Sequence, residues 1–324
     1  MINNEWLYWL IGAFFVTVSV LVLTHEEHPR RLGTAAFWGL LGLSFFYSTF
    51  VMTAQAPAWI LGLAVLVMVV IAGFNLMGQG TARSTSDAER AASAARLKSK
   101  LFIPALVVPV VTVIVALLGP LVKVGGKPVL AEGSATLTGL GIGAIVALIV
   151  AYAILRPPTA AVPFKESTRL LEAIGWAALL PQMLSTLGTL FTKAGVGVAV
   201  GDIFGAIVPQ DMLIWGVVAY CVGMALFTVI MGNAFAAFPI MTAAVGWPIL
   251  VENFQGNAPA VFALGMLAGF CGTLCTPMAA NFNIVPTALL EMENKYGSIL
   301  VQIPTAIIML VGITAFMFVF AFPH

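Results

Sequence analysis

Long apolar runs, each about the length of a helix that crosses a bilayer, follow one another along most of this chain. The first extends from about Glu5 to Thr24 and ends at the loop HEEHPRR. Others cover about Thr34–Met52, Pro57–Leu76, Leu101–Pro120 and Thr136–Leu155. Runs such as LGLAVLVMVVIAGF show no two-residue alternation, so helices are predicted and a transmembrane barrel is not. The first run has no basic segment before it and no A-x-A-like site soon after it, so it is expected to be a retained helix and not a cleaved signal. TARSTSDAERAASAARLKSK (81–100) is the one clearly polar stretch; its alanines and i,i+4 charges fit a solvated helix or loop.

Past Arg169 the runs shorten and take in Gly, Pro, Asn and Thr. LLEAIGWAALLPQMLSTLGTLF (170–191) is broken at Pro181 and is read as a hairpin that enters from the cytoplasm and returns there. Ala194–Pro209, Met212–Met231 and Ala234–Val251 are expected to cross. CGTLCTPMAANFNIVPTALLEM, within 260–290, is read as a second hairpin, entering from outside, and Ser298–Phe322 as the last crossing. Residues 101–209 and 212–322 then share one order of elements (span, span, hairpin, span) in opposite orientations, the inverted repeat of many secondary transporters. LLPQMLSTLGTL and LCTPMAANFNIV have little in common beyond a proline and a methionine, so the repeat rests on topology, and one misjudged hairpin would dissolve it. The predicted fold is an all-α integral membrane bundle of about nine transmembrane helices plus two re-entrant hairpins. It is ordered as a three-helix segment (1–80), a polar linker (81–100) and the two repeats.

Composition agrees. The chain has 324 residues, 61% of them hydrophobic and 8% charged, where a water-soluble domain carries about a quarter charged residues. A net charge of +1 implies no nucleic-acid partner. With the N-terminus outside, ten basic residues of the early loops fall in the cytoplasm and only Lys123 and Lys127 outside, which orients the chain in a bacterial inner membrane. The two hairpins would then leave Lys193 inside and the C-terminus cytoplasmic. Cys221, Cys271 and Cys275 lie in apolar segments without a CxxC pair and are read as small packing residues.

Broken helices are tolerated in a membrane where protein buries them or where they line a wet cavity. Pro277 and Pro286 remove helical hydrogen bonds, and Thr273, Thr276, Asn281 and Asn283 supply replacement partners or ligand contacts. Gln182, Ser185 and Thr186 in the first hairpin would face them across the midplane. Asn233, after Gly232, can cap a helix and touch a substrate at once. Asp202, an acid within a short crossing, is the candidate for coupling to sodium or protons. HExxH, GxSxG and GxxxxGK[ST] are all missing, and His25 and His28 beside two glutamates read as a charged turn and not a metal site.

MALFTVIMGNAFAAFP (224–239) and GFCGTLCTPMAANFNIVPTALLEM (269–292) closely resemble a bacterial membrane family known as a domain of unknown function and described as one subunit of a two-subunit 5-oxoproline transporter. GTAAFWGLLGLSF (33–45), KLFIPALVVPVV (100–111), WAALLPQMLSTLGTLFTKAGVGVAVGDIF (176–204) and VAYCVGMALFT (218–228) extend the resemblance over almost the full length. A more distant likeness is to the ion transporter superfamily, whose two opposed hairpins bear the substrate. What the resemblance implies is a substrate, 5-oxoproline, and a partner, a second membrane subunit. It supplies no binding residues; those named above rest on the physical argument. The expected function is import of a small organic anion by ion-coupled alternating access, with no enzymatic activity. The alternatives are a non-transporting assembly subunit and, less favoured, an intramembrane enzyme.

Overall fold

The computed structural model describes residues 3–78, 80, 86–124, 127–131, 133–157, 159, 161–207, 209 and 212–323. It is helical throughout apart from a two-residue antiparallel ladder that pairs Lys123 with Pro128 and Val124 with Lys127. By length and composition eight helical stretches can cross a membrane: Glu5–Thr24, Arg31–Met52, Ala88–Leu121, Ala135–Leu155, Val162–Lys193, Leu213–Met231, Ala234–Asn253 and Gly297–Phe320. Trp59–Gly73, Val196–Ala206 and Ala258–Thr273 are apolar but shorter. The expected crossing at Pro57–Leu76 shrinks to 15 residues, about 22 Å of helix against a hydrocarbon core of about 30 Å.

The chain divides into two compact units, Met1–Glu172 and Ala173–His324. In the first, α1 (Glu5–Thr24) and α2 (Arg31–Met52) pack closely because glycines meet. A Cβ added at Gly42 would lie 2.8 Å from the Gly12 carbonyl oxygen. The Ser19 hydroxyl donates across the seam to Ala35 O (2.7 Å), and Trp38 is fully buried, stacked on Phe15. After α3 (Trp59–Gly73) the chain is stapled to the α1–α2 loop by the Arg30 guanidinium on Asn75 O and Met77 O, and to the first turn of α2 by the Gly78 N–H on Thr34 Oγ1. α4 (Asp87–Leu97) opens with a capping box between Ser86 and Glu89, the solvated helix its sequence predicts; Arg83 lies outside the described residues. α5 (Phe102–Leu118) and α6 (Ala135–Leu155) form an antiparallel pair in which Gly139 meets Thr112 and Gly143 meets Val108.

α7 (Val162–Ile174) is amphipathic and closes this unit with a buried Glu172. Glu172 accepts from the Gly80 N–H (2.7 Å) and faces His28 Nε2 at 3.3 Å. His28 Nδ1 accepts from the Arg30 N–H (3.2 Å), which leaves the proton on Nε2, toward the carboxylate. His28 is therefore a buried structural partner of α7, a role its neighbours in sequence give no hint of.

In the second unit a 3₁₀ stretch (Gly175–Leu179) leads into α8 (Leu180–Lys193) and α9 (Val196–Ile207). α10 (Leu213–Met231) turns at Gly232–Asn233 into α11 (Ala234–Met241), which continues as a π-helical stretch (Thr242–Asn253). α12 (Ala258–Thr273), α13 (Ala280–Leu289) and α14 (Gly297–Phe320) follow. Tyr220, Met224, Met241, Val245 and Met317 sit at the centre of its core. Helices approach on glycines: Gly265 accommodates Tyr220, and Gly269 and Gly272 receive Met224, Thr228 and Ala225, so α10 and α12 run parallel.

The expected break at Pro181 is corrected. Pro181 occupies the first turn of α8, where a missing N–H costs nothing, and the interruption lies at Gly175, whose φ is +56°.

The hairpin expected within 260–290 is also corrected. The Asn257 N–H donates to Ala321 O (2.8 Å), so α12 begins beside the end of α14. At the other end of α14, Ser298 Oγ donates to Asn283 O (2.9 Å) and Thr287 Oγ1 reaches Lys295 O (3.3 Å). α14 has 24 residues, about 36 Å of helix. The chain from 257 to 297 therefore travels the length of α14 and does not double back, and α12 and α13 are successive parts of one interrupted path. With the second hairpin gone, the inverted repeat in its expected form lacks one of its matched elements.

Candidate functional site

Three interruptions of helix gather in the second unit. The first is the gap between α12 and α13, at residues 274–279. Asn283, fully buried, closes it: its Nδ2 donates to Thr273 O and to Thr276 O, both at 2.7 Å. Those two bonds fix the amide orientation, since the flipped group would set oxygen against two carbonyl oxygens. Asn283 Oδ1 is then left buried with no hydrogen-bond partner among the described residues. A buried acceptor in that condition is uncommon.

The second is the α10–α11 turn. Gly232 has φ +71° and abuts the gap; a Cβ there would lie 2.6 Å from the Met278 carbonyl. Only glycine fits both the left-handed backbone and the contact. Asn233 caps α11 by accepting from the Phe235 N–H (2.9 Å). The start of α11 and the start of α13 thus lie on either side of Met278, each with the partial positive charge of a helix N-terminus.

The third is the α8–α9 junction, where Gly195 has φ +72°. Gly188 on α8 lies against Ala236, and Gly197 and Gly201 on α9 against Ile240 and Ala244, so α9 runs parallel to α11 and its π-helical extension. The 3₁₀ stretch before α8 packs on α13, which α8 also touches. α8 and α9 thus form a second interrupted helix, α9 running antiparallel to α12. A cavity of about 470 Å³ lies along α9, lined by Thr192, Gly195, Gly201, Pro239, Ala243 and Pro248 among others.

The level of these breaks follows from one contact. Cys221 meets Met317 at 3.8 Å, and α10, parallel to the α12 that begins beside the end of α14, runs antiparallel to α14. Met231 is then about 15 Å further along, roughly halfway down α14.

The structure brings Thr273, Thr276, Asn283 and Asn233 to this centre and leaves others apart. Asn281 is exposed, two residues and more than half a helical turn from Asn283. Gln182, Ser185 and Thr186 form an exposed stripe on α8; the Thr186 hydroxyl donates to Gln182 O, and that of Thr189 to Ser185 O. Asp202 is exposed on α9.

Four residues were not legible as site members. Thr287 and Ser298 tie α13 to α14 at Asn283 O and Lys295 O. Gln302, one turn beyond Ser298, holds a second buried acceptor, Oε1, without a partner among the described residues. Lys193, expected in the cytoplasm, is exposed at the end of α8, beside the α8–α9 junction. The signal for Lys193 was its isolation between two apolar segments, which only the direction of α9 resolves. Among the described residues no group of three or more His, Cys, Asp or Glu is placed to hold a metal ion.

Long apolar helices and helix breaks gathered beside buried amides define a multi-pass helical membrane protein. Within that class, the chain belongs to the family described as Protein of unknown function (DUF979), whose model matches residues 5–322. No curated protein and no solved structure matches it.

Proposed function

We propose that this chain is the transporting subunit of a secondary permease that imports a small organic anion, 5-oxoproline foremost, by ion-coupled alternating access. The observation that carries the reading is the pair of oppositely directed interrupted helices, α8–α9 and α12–α13, flanking the α10–α11 turn. Discontinuous helices of this kind form substrate and ion sites in transporters, because their freed ends offer N–H dipoles to anions and carbonyls to cations. The substrate itself comes from the sequence resemblance, as does the second membrane subunit. A cyclic amide with one carboxylate suits amides, hydroxyls and helix N-termini.

Charge supports the same reading. The chain crosses eight times in this proposal, at α1, α2, α3, α5, α6, α8–α9, α12–α13 and α14, while α10 and α11 dip in from outside to the turn at Gly232 and return. Of its fourteen Lys and Arg residues, eleven then fall in cytoplasmic loops and Lys123 and Lys127 outside. Lys193 alone stands at a helix break within the membrane. A basic residue there is costly unless it serves a pathway, and an anionic substrate is its natural partner. Thr276, Asn233 and Asn283 supply the polar contacts. Asp202 is the proposed coupling acid for a sodium or proton gradient. Both termini lie outside in this arrangement, where the second hairpin would have returned the C-terminus to the cytoplasm.

Uptake of labelled 5-oxoproline into vesicles holding the chain and its partner subunit tests the proposal. Lys193→Gln is expected to lower uptake at least about tenfold, the scale of one charge-assisted contact. Unimpaired uptake by that variant, or uptake by the partner alone, would overturn it. Chemical turnover of 5-oxoproline by the purified protein would point to an enzyme instead.

A further inference from the structure

A second cavity, in the first unit, has no part in this proposal. It lies where α1 starts, α5 ends and α6 starts, encloses about 590 Å³ and is walled by Trp6, Val122, Val129, Leu130, Thr138 and Ile142 among others. That volume is within the range of small-molecule sites, roughly 300–1,000 Å³. The walls are apolar apart from Asn3, whose Oδ1 accepts from the Glu5 N–H (3.2 Å), and two further polar atoms. Trp6 Nε1 and Thr138 Oγ1 are both buried, and neither has a hydrogen-bond partner among the described residues.

Thr138 is the more telling of the two. It is 1% exposed. Threonines elsewhere in these helices close on the carbonyl one turn back, as Thr17, Thr112, Thr228 and Thr314 do. The Thr138 backbone N–H reaches Ser134 O at 2.9 Å, but its hydroxyl makes no such bond. An indole N–H and a hydroxyl thus border one apolar space, each able to donate to an acceptor oxygen.

The place selects the ligand. Three helices end here, so the cavity lies at the level of the membrane–water boundary, where indole rings collect and lipid headgroups begin. Lys123, exposed, follows the wall residue Val122, and the short ladder sets Lys127 opposite Val124. These are the two basic residues that the charge rule leaves on the outer side.

We propose that this cavity binds an anionic glycerophospholipid. One acyl chain occupies the space between Leu130 and Ile142, its ester carbonyl accepts from Trp6 Nε1–H and Thr138 Oγ1–H, and its phosphate lies toward Lys123.

Native mass spectrometry of the full chain, purified from bacterial membranes in mild detergent, tests this. The wild type is expected to carry one phospholipid. Thr138→Val, which keeps shape and removes the hydroxyl, and Trp6→Phe should each lower the lipid-bound fraction about fivefold, the scale of one lost hydrogen bond. Lys123→Ala should shift the bound species from anionic toward zwitterionic lipid. Thermal melts of the variants, each stripped of lipid, identify any that has lost its fold. A wild type without a bound lipid, a bound species that is not a glycerolipid, or retention unchanged in a folded Thr138→Val, Trp6→Phe double variant would overturn the proposal.

Discussion

Asn283 carries two functions in one side chain. Its amide nitrogen holds the carbonyls of Thr273 and Thr276, which the end of α12 would otherwise leave unpaired, and its oxygen stays free in the interior. Asn283→Ala strips two buried carbonyls of their donor and is expected to destabilise the protein by about 2–4 kcal/mol as well as abolish uptake. Asn281→Ala, on the exposed side of the same helix, is expected to stay within about 0.5 kcal/mol of the wild type in stability. Thermal melts in detergent beside vesicle uptake separate the two. Variants at Asn281 and Asn283 that both fold and transport normally would remove the site from this break. The pattern NFN in an apolar segment marked the position. It could not say which asparagine turns inward, because that depends on where α13 meets α14.

At the scale of elements, prolines and glycines were legible as breaks, but not the course of the chain after each one. A helix interrupted in a membrane can turn back or continue, and both leave the same residues in the sequence. The bond from Asn257 to Ala321 and the pair of contacts at Asn283 and Thr287 decide for continuation in α12–α13. Gly232 shows how tightly the decision is built. Gly232→Ala brings a methyl within 2.6 Å of the Met278 carbonyl at a φ of +71°. It is expected to cost about 2 kcal/mol or more and to separate the turn from the gap. A loss of melting temperature far greater than that of Gly201→Ala, whose new methyl finds ordinary contacts of 3.4 Å and more, would bear this out.

For the whole molecule, one crossing more or less changes the side of everything downstream. The proposed eight crossings set residues 290–296 inside and the C-terminus outside. A C-terminal reporter active only in the periplasm should therefore be active, and a cysteine placed at Glu293 should resist reagents that do not cross the membrane. The opposite pair of results would restore a hairpin and return the C-terminus to the cytoplasm.

Composition and the repeated apolar runs by themselves determined that this is a helical membrane protein, and nearly every long helix begins and ends within a few residues of its expected bounds. That follows from physics local to each run: about twenty apolar residues satisfy their own backbone and need no neighbour to become a spanning helix. The direction of the broken segments, the pairing of His28 with Glu172 and the inward turn of Asn283 were decided by tertiary structure alone. Each depends on a partner far along the chain, and a polar group in an apolar stretch does not reveal which distant group will answer it.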